Sequence, residues 1–494
     1  MSSKRQLKRA AIISYLSIGI NIVIGLLYTP WMVREIGQAN YGLYTLASSF
    51  ITLFMLDFGI SGALSRYLSK YRAEQKQEEA EKILGATYLL YLIIDIIAFL
   101  ILSIVFIFLE DIYAELSTNE LALFKILFLI VAFYNIISFP ATTQNGILIS
   151  YEKLVLLKTC ELVHKFLTIF FVIIALTLDL GVIWVVIANV GSGLITIIAK
   201  YVIIKRTIPL KPSFNRLSKQ VFKSIFSISV WVTIISLAQR LIYNMAPSVL
   251  GIVAGSIAIS IYAPASTLGG YFYVIASAIN GLFLPYISRK IAENRINDIQ
   301  QTMNQIGRYQ FIILGWVVVT FIGIGKHFMI LWMGKDFELS YYCGILIFLP
   351  ALFEYAQQIG NTTILVQNQV KIQAIGFSII GIIIIMLSFL LGKIGGAVGV
   401  CVSISLGGFA NVMLQSYIFS TRLKLNMIDF FKKAFTPMLF PYIGTIIIGL
   451  MISHFIPTEW LSLIISIFII SLVYAFFCLK FVLSRNEIRE LLKI

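Results

Sequence analysis

Long apolar runs separated by short polar breaks recur from one end of the chain to the other. They fall at residues 11–33, 41–66, 83–109, 122–148, 156–178, 182–204, 225–249, 256–287, 308–332, 339–367, 374–391, 396–421, 434–454 and 459–481. A helix needs about 20 predominantly apolar residues to cross the hydrocarbon core of a bilayer, and each run approaches or exceeds that length. The pattern predicts an all-α polytopic membrane protein with about 14 transmembrane helices. The count is least fixed at the fifth and sixth runs and at the last two, whose connections are very short. The first run, Ala11 to Val33, follows the basic start MSSKRQLKRA. It is longer than the apolar region of a signal peptide and no small-x-small cleavage site follows, so it is read as an uncleaved span.

Composition agrees with the pattern: of 494 residues, 59% are hydrophobic and 12% charged. Soluble domains are roughly 45–50% apolar and about 25% charged, and no water-soluble core absorbs such an excess. The net charge of +15 would fit a nucleic-acid partner, but the placement of the bases argues for none. Lys4, Arg5, Lys8 and Arg9, then Arg66, Lys70, Arg72, Lys76 and Lys82, then Lys200 to Lys223, Arg289, Lys290 and Arg295, Lys432 and Lys433, and Arg485 to Lys493 fall in one alternating set of loops. The other set is acidic, as in EDIYAELSTNE (Glu110 to Glu120), or bare of bases, as near Asp179 and Pro457. Lysine and arginine favour the cytoplasmic side, so both termini are expected in the cytoplasm. Four cysteines and three histidines are scattered without ligand-like spacing, which implies no disulfide framework and no metal site. Bare, short outer loops leave little room for the chemistry of a membrane glycosyltransferase or polymerase, so an enzyme is not expected.

The chain also repeats itself. YTLASS (Tyr44 to Ser49) returns as YAPAST (Tyr262 to Thr267), 218 residues on, and YLSK (Tyr67 to Lys70) returns as YISR (Tyr286 to Arg289) at 219. Lys153 and Lys371 match in the same register, and both copies enter a charged cytoplasmic stretch. Such self-similarity is the mark of a duplication. Six spans per copy is an even number, so the copies enter the membrane from one side as parallel repeats, with the substrate route between the halves. The expected organisation is two pseudo-symmetric six-helix lobes, at 1–204 and 225–421, joined by a cytoplasmic linker at 205–224. A loop and two extra transmembrane helices follow at 422–494.

Within this greasy chain, IISLAQRLIYNMAP (Ile234 to Pro247) carries an arginine. Thr233, Ser236, Arg240 and Asn244 recur at helical spacing on the seventh span, as Ser14, Ser17, Asn21 and Tyr28 do on the first. In the repeat register Asn21 matches Arg240. An arginine against lipid at this depth costs about 2.5–3.5 kcal/mol on insertion scales. It either lines a watery cavity, or snorkels outward over roughly 12 Å or sits in a structural ion pair; the polar stripe around it favours the cavity. Asp57 in span 2 and Glu354 in span 10, with Gln358 and Asn361 on its face, are candidates for coupling an ion, or else pack the bundle as protonated or paired carboxyls. Asp95 is read as structural, Lys125 as snorkelling, and Glu161, His164 and Lys165 as an interfacial cluster from which Lys165 alone could turn to a cavity. Pro140, Pro264 and Pro350 mark kinks or breaks within spans.

Residues Thr29 to Tyr71, TPWMVREIGQANYGLYTLASSFITLFMLDFGISGALSRYLSKY, resemble the opening of the polysaccharide transporters in the multidrug/oligosaccharidyl-lipid/polysaccharide exporter superfamily. The carriers are a proline followed by Arg34 at the end of span 1, a Gly-x-x-x-Tyr-Gly-x-Tyr turn, and an Asp-x-Gly in span 2. ISIYAPASTLGGYFYVIASAINGLFLPYISRKIAENR is similar to the second-half counterpart. The resemblance implies a multi-pass protein of a bacterial cytoplasmic membrane. Its substrate would be an undecaprenyl-pyrophosphate-linked oligosaccharide of the O-antigen or capsular type, and the polysaccharide polymerase machinery a further partner. No organic cofactor is implied, and coupling to H+ or Na+ would run through Asp57 or Glu354. Arg34 and Arg240 are the carried-over candidates for the pyrophosphate, because guanidinium grips phosphate oxygens bidentately. Asn21, Asn244, Ser17, Ser236 and Thr233 complete the expected lining. Bases near the span centres are few here, and Asp57, Asp95 and Glu354 offset them, which departs from a strongly cationic lumen. A cation-coupled multidrug antiporter of the same superfamily is the alternative; that branch typically has an acid in span 1, where this chain has Asn21.

Overall fold

The computed structural model describes residues 3–54, 59–215, 231, 233–280, 283–367 and 369–483, and among them helices and short links make up the whole chain. The helices group into two compact units, Met1–Ser260 and Ile261–Ile494.

In the first unit α1 (Ser3–Ile36) is followed by α2 (Gln38–Phe54), α3 (Ile60–Ala73), α4 (Gln77–Ile107), the short α5 (Leu109–Ile112), α6 (Thr118–Ala141) and α7 (Thr143–Ser150). Then come α8 (Leu154–Thr177), α9 (Gly181–Thr207), a helical stretch at 233–243 taken as α10, and α11 (Ala246–Val253). Next, α12 (Gly255–Asn280) runs through the division between the units. Local signals set several ends. Ser117 accepts from the Glu120 N–H while the Glu120 carboxylate takes the Ser117 N–H, a reciprocal cap that starts α6. The left-handed Asp179 and Gly181 turn the chain sharply between α8 and α9.

Two apolar clusters hold this unit. Ile60, Leu64, Leu68, Ile83, Leu84, Tyr91, Phe139 and Leu148 bind α3, α4, α6 and α7. Elsewhere Phe50, Tyr113, Phe124 and Phe128 stack edge to face or tilted. On the predicted cytoplasmic side Arg72 donates to the Ser150 carbonyl at 2.8 Å and lies over the Tyr151 ring. Nearby, Lys76 sits 2.7 Å from Glu74 and holds that carboxyl below its usual range. The chain after α9 is docked, not loose: Gln77 donates to the Pro209 carbonyl at 2.7 Å and Ser213 N–H to the Glu81 carbonyl at 3.0 Å.

In the second unit α13 (Leu284–Ala292), α14 (Ile296–Met333), α15 (Leu339–Ala356), α16 (Gln358–Val366), α17 (Val370–Arg422), α18 (Met427–Phe430), α19 (Leu439–Phe455) and α20 (Trp460–Phe481) follow in order. α17 is 53 residues long but not one rod. Gly396, at φ 53 and ψ −131, breaks it where the apolar pattern separates 374–391 from 396–421. An L side chain is strained in that conformation, and glycine is not. The two C-terminal helices pack against α14: Tyr442 donates to the Phe311 carbonyl at 2.6 Å and Tyr474 to the Ile312 carbonyl at 2.8 Å. A Cβ on Gly323 would stand 3.0 Å from Gly449 Cα, so α14 and α19 meet backbone to backbone. Without a hydrophobic drive between helices in lipid, such small-residue contacts supply the attraction.

Among the described residues, nine helical segments are long and apolar enough to cross a membrane. One of them, Val370–Arg422, covers two of the predicted runs. The runs at 11–33, 41–66, 225–249 and 256–287 are not among the nine. They fall on α1, on α2 and α3, on α10 and α11, and on α12 and α13. Polarity is arranged for lipid. On α4, Leu92, Ile93, Ile96, Ile97, Phe99 and Leu100 are each more than half exposed, while Thr87 and Asp95 on the same helix are buried. A water-soluble protein does the reverse.

Candidate functional site

The described part of the first predicted polar ridge is limited. Ser17 and Asn21 lie on α1, with their side chains outside the described residues, as is Asp57 altogether. Arg34 is in the last turn of α1 and exposed, while Met32, Val33 and Ile36 beside it are buried. A cation there complements the negative end of the helix dipole.

The second ridge, which in the sequence begins at Ser229, lies within the described residues from Thr233 onward. Thr233, Ser236, Arg240 and Asn244 are all half-buried, and the Asn244 N–H closes on the Arg240 carbonyl at 2.8 Å, so the helical turn continues through them. At about 100° per residue, Ser236, Arg240 and Asn244 share one face and Thr233 lies beside them. Ala238 and Ile242, which are fully packed, lie on the other side, roughly 120–200° away. The stripe is therefore no part of the packed core of its unit. Pro247 begins α11 after a break at Asn244 and Met245, which ends the straight run of the helix close to the arginine.

Glu354 lies in the second unit, on α15, at 8% exposure. Next to its helix stands a chain of amides. Gln373 donates to Asn361 Oδ1 at 3.0 Å, Asn361 donates to Gln415 Oε1 at 3.1 Å and to Gln358 Oε1 at 3.3 Å, and Ser416 donates to Gln357 Oε1 at 3.1 Å. Among the described residues, Asn411, at 0% exposure, has no hydrogen-bond partner at either side-chain atom, and the Gln357 and Gln415 amide nitrogens have none. Sequence reasoning placed Gln358 and Asn361 with Glu354 but missed Gln357, Gln373, Asn411, Gln415 and Ser416. The spacing of Asn411 and Gln415, four apart in the apolar stretch GGFANVMLQSYIF, was the available signal.

The remaining intramembrane charges divide. Lys125 pairs with Glu110 near the start of α6, as expected of a snorkelling lysine. Lys158 pairs with Glu161 at 2.8 Å on an exposed face. Asp95 is buried on α4 and its Oδ1 has no partner. No group of three or more metal-ligating side chains occurs among the described residues.

An all-helical fold with apolar surfaces and helices long enough to span a bilayer defines a multi-pass membrane protein. Residues 7–290, more than half the chain, match the family model described as polysaccharide biosynthesis protein, and the protein belongs to that family. Its fold is similar to that of the lipid II flippase MurJ in an inward closed conformation, with a TM-score of 0.72 at 19% identity, covering 95% of this chain and 97% of the other. An inward-facing multidrug resistance MATE family transporter is similar with a TM-score of 0.64 at 14% identity, covering 84% and 99%. A mutant of the Vibrio cholerae MATE transporter VcmN is similar with a TM-score of 0.57 at 14% identity, covering 85% and 98%. A comparison with curated proteins found no match.

Proposed function

We propose that the protein is a flippase that carries a polyprenyl (undecaprenyl) pyrophosphate-linked oligosaccharide across the bacterial cytoplasmic membrane by alternating access, for assembly of O-antigen, capsule or exopolysaccharide. Membership of the polysaccharide biosynthesis family and the likeness of fold to a lipid II flippase support this reading. The observation that carries it is Arg240, half-buried within a predicted span on a polar face turned away from its own packed side. A guanidinium is always charged and presents a fork that matches phosphate oxygens. Thr233, Ser236 and Asn244 supply hydroxyl and amide partners for sugar or for the water around it. Arg34, at the end of α1, and the α1 residues Ser17 and Asn21 are assigned to the same route.

Glu354 is the second element of the proposal. A carboxyl so little exposed beside an amide network is suited to take up a proton or Na+, and Asp57 is its candidate counterpart in the first half. The multidrug antiporter alternative has only the fold likeness in its favour. The test is a deletion strain complemented with variants. Arg240→Ala is expected to insert normally yet fail to restore surface glycan, with lipid-linked oligosaccharide accumulating on the inner face, and Arg240→Lys to restore part. Full surface glycan from the alanine variant would remove Arg240 from the substrate path.

A further inference from the structure

We propose that Cys343 on α15 and Cys401 on α17 are an oxidisable dithiol, which closes into a disulfide and bolts the two helices together just beyond the Gly396 break. The two thiols lie 58 residues apart in the sequence, and both are free and fully buried, at 0% exposure. Three contacts fix the register of the segments that carry them. A Cβ on Gly408 would stand 2.6 Å from Pro350 Cβ, Ser416 donates to Gln357 Oε1 at 3.1 Å, and the Phe419 ring covers Gly360. The partners are 58 or 59 residues apart in all three and advance together, so Pro350 to Gly360 runs parallel to the second part of α17. Seven residues, two helical turns, return a helix to nearly the same face. Seven residues before Pro350 and Gly408 stand Cys343 and Cys401. The two sulfurs accordingly lie within hydrogen-bonding reach of one another, and the buried Tyr262 of α12 is near both. A disulfide spans Cα atoms about 4.4–6.8 Å apart, a spacing that helices reach where a glycine lets their backbones approach, as Gly408 does two turns further on.

Depth and burial select the oxidant. Cys343 is four residues inside the Leu339 start of α15 and Cys401 five beyond Gly396, about 6 and 7.5 Å at 1.5 Å per residue. The charge pattern turns these helix ends outward, to the side on which disulfides persist. Full burial shuts out a protein thiol oxidoreductase, which must bring its own surface to the sulfur, and leaves access to a small neutral oxidant such as hydrogen peroxide. One thiol attacks the peroxide, becomes a sulfenic acid and releases a water. The second sulfur then displaces the sulfenic hydroxyl, which leaves with the thiol proton as a second water while the S–S bond forms. Two thiols thus give up two electrons and two protons, and one peroxide is reduced to two waters. At Gly396 the two parts of α17 change direction, and a bond five residues on keeps the second part from leaving α15 at that end. That this hold slows transport rests on the function proposed above; that the bond forms does not.

The experiment uses the full chain in native membranes, treated with hydrogen peroxide, quenched, denatured and labelled with a polyethylene-glycol maleimide that marks each free thiol. The wild type is expected to fall from four labelled thiols to two and to return to four after phosphine reduction, with the peptides of Cys343 and Cys401 recovered as one linked mass. Cys160→Ser combined with Cys478→Ser should fall from two to none, whereas Cys343→Ser and Cys401→Ser should each keep three. Where a serine variant does not assemble, alanine at the same position replaces it. Four labelled thiols in the treated wild type, or a linked mass that joins other cysteines, overturns the pair. In the complemented deletion strain, peroxide is expected to lower glycan export by the wild type and not by Cys401→Ser. Equal export with the linked mass present leaves the disulfide standing and removes its hold on transport. Absence of export from both before any oxidant is added is instead a failure of the flippase reading.

Discussion

At the scale of single residues, the chain keeps polar side chains where lipid-exposed helices have none, and their bonding separates two kinds. Gln373 is of the bonded kind, since its amide donates to Asn361, which donates onward to Gln415. Gln373→Leu takes a donor from the half-buried Asn361 Oδ1, and is expected to lower stability by about 0.5–1.5 kcal/mol, read as a fall in the melting temperature of the purified protein. Asn411 has no such bond to lose. Asn411→Leu is therefore expected to leave melting unchanged or raise it, since the unpaired amide itself costs about 1–3 kcal/mol when buried. If Asn411→Leu melts as low as Gln373→Leu, the amide has a structural partner and this distinction is wrong. Legibility at this scale follows periodicity. The Thr233, Ser236, Arg240 and Asn244 stripe shows in the sequence because one helix carries all of it. The amide network does not, because it is assembled from α16, α17 and the link before α16, and only folding brings Gln373 and Gln415 to Asn361.

At the scale of elements, ten of the apolar runs fall on the nine helical segments long and apolar enough to cross a membrane among the described residues, since the bilayer imposes a minimum length on every span. Breaks inside them are less so. Pro140 does precede an end, with α6 stopping at Ala141 and α7 starting at Thr143, but α12 and α15 continue past Pro264 and Pro350. Proline is tolerated there because neighbouring helices and local adjustment re-satisfy the freed carbonyls. The decisive breaks are made by glycine geometry and by helix contacts that no local pattern announces. A Cβ on Gly42 would stand 2.1 Å from the Ser256 carbonyl oxygen, so α2 and the start of α12 touch through their backbones. Gly42→Ala forces one of two backbones to move, and overpacking of this kind is expected to cost about 1–3 kcal/mol. Gly396→Ala should cost a similar amount, about 1–3 kcal/mol, for a different reason, backbone strain at positive φ. A glycine-to-alanine change at Gly62, which has open space and no positive φ, serves as the control and should melt with the wild type. A Gly42→Ala protein as stable as that control would show that α2 and α12 approach less closely than this contact requires.

At the scale of the whole molecule, what remains is the direction of the chain in the membrane, and charge alone carries it. The end of α3 and its link to α4 carry Lys70, Arg72 and Lys76, and the end of α13 and its link to α14 carry Arg289, Lys290 and Arg295. The stretch from α5 to the first turn of α6 carries Glu110, Asp111, Glu115 and Glu120. Basic loops stay on the cytoplasmic side because moving them outward opposes the membrane potential, about 2.3 kcal/mol per charge per 100 mV. Three bases in one short loop disfavour the alternative orientation on energy alone, and acidic residues contribute little to the choice. The consequence is checked with single cysteines. Cys343, Cys401 and Cys478 are buried and Cys160 is half-buried on α8, so the native thiols give little background. Asn119→Cys, at the exposed start of α6, should react with a membrane-impermeant maleimide on intact spheroplasts, and Glu78→Cys, at the exposed start of α4, only after the membrane is opened. The two sites are separated by one apolar helix, so a single crossing must place them on opposite sides. Labelling of Glu78→Cys but not Asn119→Cys on intact spheroplasts inverts the orientation, and with it the direction of export, while labelling of both removes α4 as a span.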